Sequence, residues 1–356
     1  MSMEYLDALL RYSIENNATD VHFCAGIEPL MRTNSRLMKI PDTEIIMPPV
    51  INEIVMGLLD DKKKEALKYN RVADFSFSRG GVGRFRCNIY QQRGSYAVAI
   101  RNLPFDIPEL STLGLPSSVE TFVHKNKGLV LATGATGSGK STTLASLVRL
   151  INEQYNYHII TIEDPVEYLH RHHKSLVTQR EIGDDADSFA LALRSALRAD
   201  PDVIMVGEMR DSETISIALT AAETGHLVLS TLHTLGAAKA IDRIIDAFPS
   251  GQQGQIRTQL ATVLEGIISQ QLLPRKDGKG LVLASEVMMV TPAIRNLIRE
   301  GKHYQITSSM QSGQSIGMQL LEADLARLVK ADLIEIEEAT LKAQDTQLLQ
   351  QYLTRK

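Results

Sequence analysis

The chain has 356 residues, enough for about two or three domains, and its 44% hydrophobic and 22% charged residues are typical of a globular protein with a packed core. Its net charge of −4 argues against nucleic acid as the main partner, because duplex binders usually carry a basic surplus. No apolar run approaches the roughly 20 residues of a membrane span, and the only cysteines, Cys24 and Cys87, form no CxxC pair, so neither a transmembrane segment nor a zinc site is predicted.

The first hundred residues predict a small α+β domain. The start, MSMEYLDALLRYSIENN, has acidic residues in place of the basic region of a signal peptide, and it predicts an amphipathic helix. TDVHFCAG alternates as a strand does, and PLMRTNSRLMKI predicts a hairpin around Asn34-Ser35. Residues 50–69 have a helical pattern. The stretch FSFSRGGVGRFRCNIYQQRGSYAVAIR alternates strongly and predicts two or three antiparallel strands.

A change of pattern divides the chain into two domains. Prolines and a glycine between Asn102 and Ser118 predict a linker over 102–118, after an N-terminal domain of residues 1–101. From about Val119 strands alternate with helices, so residues 119–356 predict an α/β domain with a parallel sheet covered by helices on both faces. Its candidate strands are GLVLAT (128–133), HIITIE (158–163), VIMVG (203–207) and HLVLSTL (226–232). Beyond Ile256 the chain is predicted to be mostly helical.

The motif GATGSGKST lies between the first of these strands and a predicted helix. Its first eight residues fit the phosphate-loop pattern GxxxxGK[ST], in which glycines let backbone N–H groups point at phosphate oxygens and the helix adds its positive end. Lys140 is predicted to reach the β- and γ-phosphates, and Ser141 to bind Mg²⁺. The alternative is a glycine-rich turn without a ligand. The predicted nucleotide-binding residues are Gly134, Ala135, Thr136, Gly137, Ser138, Gly139, Lys140, Ser141 and Thr142.

Acidic residues follow two of the predicted strands. Glu163 and Asp164 come at the end of HIITIE, and Glu208 comes just after VIMVG. Because ligands bind at the carboxyl ends of strands in open α/β sheets, these acids are candidates for water activation and for the metal. The alternative for either acid alone is that it caps the loop or helix that follows.

Histidines and arginines complete the set of candidates. His226 precedes the strand HLVLSTL and His233 follows it, and an imidazole near the γ-phosphate can sense whether that phosphate is present. Arginines near a phosphate can stabilise its charge, although an exposed or ion-paired role is the alternative for each of them. The candidate arginines are Arg84 and Arg86, which share a strand face, together with Arg101 and with Arg210 close to Glu208.

The order GATGSGKST, TIEDPVEY, LRSALRADPDVIMVGEMRD and AAETGHLVLSTLHT resembles the secretion ATPases of type II secretion and type IV pili. The resemblance implies a hexameric motor with a PAS-like N-terminal domain and a RecA-like P-loop ATPase domain, which binds ATP and Mg²⁺ between them. It makes Lys140 and Ser141 the Walker A pair, Glu163 the water-activating base and Glu208 the Walker B acid that assists Mg²⁺. It further implies that His226 and His233 form a histidine box and that Arg84, Arg86 and Arg101 contact phosphates.

Two features indicate a branch of this family. No cysteine follows Cys87, whereas extension and type II secretion ATPases usually carry a tetracysteine zinc insertion. The segment TPAIRNLIREGKHYQI resembles a motif of the retraction ATPases of type IV pili. Thr291 suits the cap of this helix, Pro292 its first turn and Gly301 its end. The motif residues are Ala293, Ile294, Arg295, Asn296, Leu297, Ile298, Arg299 and Glu300.

The resemblance therefore implies an ATPase that powers pilus retraction and twitching motility. Its expected partners are further copies in a homohexamer, an inner-membrane pilus platform protein and a paralogous retraction ATPase, and no nucleic acid. The expected location is the cytoplasm, with peripheral attachment to the inner membrane through partners. The open alternatives are an accessory paralogue of the main retraction motor and a related type IVB secretion or conjugation ATPase.

Overall fold

The computed structural model of the chain describes residues 2–33, 36–103 and 106–355. Its contacts divide the chain into two compact units. The N-terminal unit comprises Met1–Asp106 and Pro165–Leu169, and the C-terminal unit comprises Ile107–Asp164 and His170–Lys356. Within the described ranges, no helix combines the length and the hydropathy that a bilayer crossing requires.

The N-terminal unit is built on a six-stranded antiparallel sheet with the order β3-β2-β1-β6-β5-β4. Its elements are α1 (Ser2–Glu15), β1 (Asp20–Cys24), β2 (Leu30–Thr33), β3 (Arg36–Lys39), α2 (Pro48–Leu58), α3 (Asp61–Asn70), β4 (Val72–Arg79), β5 (Gly83–Gln92) and β6 (Ser95–Leu103). One face of the sheet is buried in a core that includes Phe23, Phe85 and Ile100. This arrangement confirms the predicted α+β class.

The alternating stretch that begins at Phe75, for which two or three antiparallel strands were predicted, forms three, β4 to β6. The helical pattern over 50–69 forms two helices, α2 and α3, because Asp60 caps α3 by accepting a hydrogen bond from the Lys63 N–H at 2.8 Å. The hairpin turn predicted at Asn34-Ser35 lies outside the described residues, but β2 and β3 on either side of it are paired antiparallel.

The C-terminal unit is built on a seven-stranded sheet with the order β13-β12-β7-β11-β10-β8-β9. Its strands are β7 (Gly128–Thr133), β8 (His158–Glu163), β9 (Leu176–Glu181), β10 (Val203–Val206), β11 (Leu227–Leu232), β12 (Leu264–Pro274) and β13 (Leu281–Met289). All neighbours are parallel except β12 and β13, which form an antiparallel pair at one edge. The predicted α/β class with a parallel-rich sheet is confirmed.

Helices connect and cover these strands. They are α4 (Lys140–Gln154), α5 (Phe189–Ala196), α6 (Ser212–Glu223), α7 (Ala237–Asp246), α8 (Ser250–Val263), α9 (Pro292–Arg299), α10 (Ile306–Ser312), α11 (Leu321–Lys330), α12 (Ile336–Lys342) and α13 (Thr346–Thr354). Short 3₁₀ turns at Leu110–Leu113 and Ser117–His124 precede β7. Of the residues predicted as a linker, 107–118 belong to this unit, where Ser146 of α4 donates a hydrogen bond to the Pro108 carbonyl at 2.8 Å.

The prediction of a mostly helical chain beyond Ile256 was wrong for 264–289, where β12 and β13 form the longest strand pairing of this sheet. The helix α8 ends at Val263 and β12 begins at Leu264, so no glycine or proline marks the change. The polar residues Ser269, Gln270 and Gln271 also interrupt the apolar run that identifies a buried strand. The strand β9, with exposed Leu176 at its start, was not predicted either.

The parallel register brings the carboxyl ends of the central strands to one edge of the sheet. Leu232 of β11 pairs with Thr133 of β7, and Val206 of β10 pairs with both Ser230 of β11 and Ile162 of β8. The segments that follow β7, β11 and β10, and the last residue of β8, therefore lie along the same edge. This is where ligands bind in open α/β sheets.

Candidate nucleotide site

The phosphate loop curls tightly between β7 and α4. Gly134, Gly137 and Gly139 have φ values of +145°, +77° and +91°, and residues with a Cβ atom rarely adopt such positive φ values. At Gly134 a Cβ atom would lie 2.4 Å from the Gln270 carbonyl oxygen and 2.4 Å from Ser138 Oγ. Only glycine fits there, so the loop has the close backbone curvature that a phosphate cradle requires.

Lys140 begins α4 and folds back over the loop. Its Nζ donates hydrogen bonds of 2.9 Å to the carbonyl oxygens of Gly134 and Ala135. Ala135, Thr136 and Gly137 are exposed at the outer side of the loop. An ammonium group, the first N–H groups of a helix and the helix dipole therefore meet at one place, and this combination fits a polyphosphate. Ser141 and Thr142 follow in the first turn of α4.

Gln270 is a buried residue at this loop that the sequence analysis missed. Its Nε2 donates to Thr143 Oγ1 at 2.8 Å, and its backbone oxygen lies against Gly134. Among the described residues, its Oε1 belongs to a small group of buried polar atoms without a hydrogen-bond partner, together with Ser138 Oγ and Thr133 Oγ1. The residue was missed because it lies on β12, in a region predicted to be helical.

Glu163 ends β8 and is only 8% exposed. Its Oε1 accepts hydrogen bonds from Thr161 Oγ1 at 2.6 Å and from Gln179 Nε2 at 3.2 Å. A second buried acid, Glu181 of β9, pairs in register with Glu163 and was not singled out from the sequence. The carboxylate of Glu163 is thus held among polar groups at the carboxyl edge of the sheet.

Glu208 forms an ionic cluster with two residues that the sequence analysis had singled out. Arg210 Nη2 forms an ion pair with Glu208 Oε1, and His233 Nε2 lies 3.5 Å from Glu208 Oε2. The hydrogen bond with Glu208 raises the pKa of the Arg210 guanidinium, and the negative charges of Glu208 and Asp164 raise it further. Partial burial has the opposite, smaller effect on this pKa. The structure therefore brings an acid, an arginine and a histidine together just beyond β10 and β11.

Strand order sets the spacing of these groups. The strand β11 lies between β7 and β10, so Glu208 follows a strand about 10 Å from the one that carries the loop, and β8 with Glu163 lies about 14 Å from it. Glu163 and Glu208 are adjacent along the edge, since a Cβ on Gly207 would lie 3.4 Å from the Cα of Glu163. The two acids thus lie beside each other on one side of the loop.

His226 does not join this cluster, and its role as a phosphate-sensing histidine stays a prediction. It precedes β11, and its carbonyl accepts from Gly128 N at the start of β7, at the opposite edge of the sheet from the loop. The six residues of β11 separate the two edges by about 20 Å. Its Nδ1 lies 2.9 Å from the Ala221 carbonyl oxygen, a contact that joins α6 to β11.

The three N-terminal arginines share one face of their own sheet. Arg86 of β5 pairs directly across the strands with Arg101 of β6, and Arg84 lies two residues from Arg86. Two of them form ion pairs with carboxylates, Arg86 with Asp74 at 3.0 Å and Arg101 with Asp20 at 2.9 Å. Arg84 Nε donates to the Val166 carbonyl oxygen at 3.3 Å within the same unit. This face therefore concentrates positive charge that carboxylates partly balance.

The helix α9 carries the motif Ala293–Glu300. Thr291 caps it, with Oγ1 accepting from Ile294 N at 3.3 Å, and Gly301 follows it with φ +71°. Ile294 and Ile298 are fully buried. Arg295 donates to the carbonyl oxygens at the end of α8. One face of this helix is therefore part of the core, and Ala293, Asn296, Arg299 and Glu300 are exposed.

A profile of the family described as Type II/IV secretion system protein matches residues 96–341. The chain is 45% identical over 343 residues to a twitching motility protein of Neisseria gonorrhoeae, across 96% of this chain and 91% of the relative. It is 44% identical over 339 residues to the "Type IV pilus retractation ATPase PilT" of Pseudomonas aeruginosa, across 94% and 97% of the two chains.

The crystal structure of a pilus retraction motor, PilT with bound ADP, superposes with a TM-score of 0.92 and 48% sequence identity. The superposition covers 97% of this chain and 98% of that one.

Proposed function

This chain belongs to the type II/IV secretion system protein family, as its motifs indicate, and on that premise we propose that it is a hexameric ATP-hydrolysing motor that powers retraction of type IV pili. The observation that carries the proposal is the likeness, at a TM-score of 0.92 across nearly the whole chain, to a retraction motor with bound ADP. In this proposal the C-terminal unit is a RecA-like ATPase domain and residues 1–101 form a PAS-like domain, joined by a linker over 102–118.

The loop Gly134–Thr142 binds the phosphates of ATP. Lys140 exchanges its two carbonyl partners for phosphate oxygens, a gain because the negative charge of the phosphate attracts the ammonium group at close range. Ser141 at the start of α4 holds Mg²⁺, and Glu208 assists it. The metal supplies charge neutralisation at the β- and γ-phosphates.

Glu163 acts as the base that orients and deprotonates the attacking water, because it is a carboxylate held by hydrogen bonds at the edge of the sheet that carries the loop. Arg210 and His233 hold Glu208, and His233 is the histidine placed to respond to the γ-phosphate. His226 is the second member of the histidine box.

Arg84, Arg86 and Arg101 contact nucleotide phosphates. Their cross-strand arrangement concentrates guanidinium groups on one face, and the exposed ion pairs with Asp74 and Asp20 contribute little stability, so that phosphate can replace the carboxylates. This role supports assembly as a homohexamer, in which copies complete one another's sites.

The motor works in the cytoplasm and is held peripherally at the inner membrane by an inner-membrane pilus platform protein, with a paralogous retraction ATPase as a further partner. The motif of α9 is required for retraction but not for ATP hydrolysis. Its exposed residues are available for this role, whereas its buried residues belong to the core.

The experiment that tests the enzymatic proposal is a steady-state ATPase assay on the purified assembly. We expect Lys140→Ala and Glu163→Gln each to abolish turnover, and Lys39→Ala, an exposed lysine paired with Glu28 in the N-terminal unit, to leave it unchanged. Normal turnover in either site variant would refute the assignment of that residue.

The experiment that tests the cellular role uses a strain that lacks this chain. Hyperpiliation without twitching motility is the expected result, because pili that extend but do not retract accumulate. Loss of pili would indicate an extension motor instead, and unchanged twitching would indicate an accessory paralogue.

A further inference from the structure

Two side chains converge on one oxygen of Glu163. Thr161 Oγ1 lies 2.6 Å from Oε1, and Gln179 Nε2 lies 3.2 Å from the same atom. A carboxylate oxygen accepts, so the hydroxyl and the amide both donate to it. Thr161 is fully buried, and therefore its hydrogen bond is protected from competing water.

The strand register explains why these residues meet. Thr161 and Glu163 are two residues apart on β8 and so point to the same face of the sheet. Gln179 is the residue of β9 that pairs with Thr161. The three side chains thus form a compact group built on two neighbouring strands, which hold geometry better than a loop does.

A backbone contact fixes the orientation of the Gln179 amide. The N–H of His170 donates to Gln179 Oε1 at 2.8 Å. Because a backbone N–H can only donate, the amide oxygen must face His170, and its NH₂ group is turned toward Glu163. Burial lowers the pKa of the His170 side chain to about 4, so this imidazole stays neutral near pH 7 and brings no charge to the group.

We propose that Thr161 and Gln179 are positioning residues for the water-activating carboxylate, an inference that rests on the proposed ATPase function. The two donors set the rotation of the Glu163 carboxylate and hold it in place between turnovers. Thr161 on β8 and Gln179 on β9 lie three and four strands away from β7, the strand that leads into the phosphate loop, so their effect falls on turnover and not on nucleotide binding. Misplacement of a catalytic group by about 1 Å can cost on the order of 100-fold in rate.

The test is steady-state ATP hydrolysis by the full-length protein with Thr161→Val and Gln179→Leu, which remove each donor at nearly constant volume. We expect kcat to fall about 10- to 100-fold in each variant, while KM for ATP and the affinity for ADP stay within about twofold. Thr161→Ser restores the hydroxyl and should recover most of the parent kcat. A purely structural role would not separate kcat from KM or respond to the hydroxyl alone.

A matched control is Thr214→Val. Thr214 is also fully buried, and its Oγ1 also donates to a carboxylate, that of Asp211 at 3.1 Å, but Asp211 caps α6. We expect this variant to keep the parent kcat. If Thr161→Val and Gln179→Leu keep kcat within about twofold of the parent, or if Thr161→Ser fails as badly as Thr161→Val, the inference is wrong.

Glu163→Gln is assayed beside these variants so that two failures can be told apart. Turnover by Glu163→Gln would overturn the proposed role of Glu163 itself. An inactive Glu163→Gln together with fully active Thr161→Val and Gln179→Leu would overturn only the positioning role. Should Thr161→Val not fold, the other two variants still decide between these outcomes. A positioning role requires that Thr161→Ser keep most of the parent kcat and that Gln179→Leu lose it.

Discussion

Arg295 Nη2 donates to Glu265 Oε1 at 2.5 Å, while Nη1 of the same guanidinium donates to the carbonyl oxygens of Ala261 and Thr262 at 2.9 and 2.8 Å. These carbonyls belong to the last turn of α8, where a positive charge also interacts favourably with the helix dipole. The guanidinium thus joins α9 to the end of α8 and the start of β12. Within the motif Ala293–Glu300, Arg295 is a structural residue and Arg299 is an exposed one.

Replacing Arg295 tests this division of the motif. Arg295→Met keeps the aliphatic stem but removes the donor to two carbonyls and leaves Glu265 with Lys125 as an ion-pair partner, so we expect a loss of about 1–3 kcal/mol in unfolding free energy. Arg295→Lys should lie between parent and Met, because an ammonium cannot reproduce the planar fork. Thermal unfolding measures the effect, and exposed Arg299→Met is the matched control with an unchanged midpoint. Equal midpoints for the Arg295 and Arg299 variants would contradict this assignment.

Gly134 lies against the backbone of Gln270 on β12, and we expect Gly134→Ala to abolish nucleotide binding. A Cβ would lie 2.4 Å from the Gln270 carbonyl oxygen at a φ of +145°, so the loop must move to admit a methyl group. Binding of a fluorescent ADP analogue measures the effect. Gly254→Ala in α8 is the control, since among the described residues no atom beyond its chain neighbours and its own helix backbone lies within 4 Å of its Cβ position, and alanine favours a helix. Retained affinity in Gly134→Ala would show that the loop tolerates this strain.

The central strands could be predicted from the sequence because they are buried on both faces. GLVLAT and HIITIE became β7 and β8 with the predicted bounds, and every residue of β7 is buried. A continuous apolar run bounded by a loop predicts a buried strand from local sequence alone, without knowledge of distant residues. The phosphate loop and the acids after these strands followed from the same local pattern.

Long-range partners could not be predicted in this way. Gln270 reaches the phosphate loop from 127 residues beyond Thr143 in sequence, and Gln179 reaches Glu163 through the pairing of β8 with β9. Nothing local to either glutamine marks it as part of a site. The position of His226 was different, because the sequence already places it before a strand and His233 after it, and the two ends of one strand lie at opposite edges of a sheet.

Arg210 is expected to support turnover through Glu208. We expect Arg210→Gln to lower kcat about 10-fold with little change in ATP affinity, because Glu208 loses the charged partner that holds it beside the loop. Steady-state ATPase assays give both quantities. Arg275→Gln is the control, since Arg275 also pairs with an acid, Asp277 at 3.0 Å, but in the hairpin between β12 and β13. Similar kcat values for the two variants would count against a role for Arg210.

Glu286 of β13 is the buried acid whose protonation should set part of the pH dependence of stability. Its Oε1 accepts from Ala237 N, the first residue of α7, at 2.7 Å. Burial raises its pKa from 4.5 to about 7, with Glu322 acting in the same direction and the backbone hydrogen bonds to Ala237 and Leu321 opposing it. The folded protein therefore keeps this proton over a pH range in which the unfolded chain has released it.

The sign of the effect follows from proton binding. Between pH 4.5 and about 7 the folded state binds one more proton at Glu286 than the unfolded state, so stability falls as pH rises through this window and levels off above it. The total loss is on the order of 3 kcal/mol. Glu286→Gln removes the titrating group, so its unfolding free energy relative to the parent should increase from pH 5 to pH 7.5. Urea unfolding at several pH values measures this difference, with exposed Glu337→Gln as the control. Parallel stability curves for parent and Glu286→Gln would mean that Glu286 titrates normally in the folded protein.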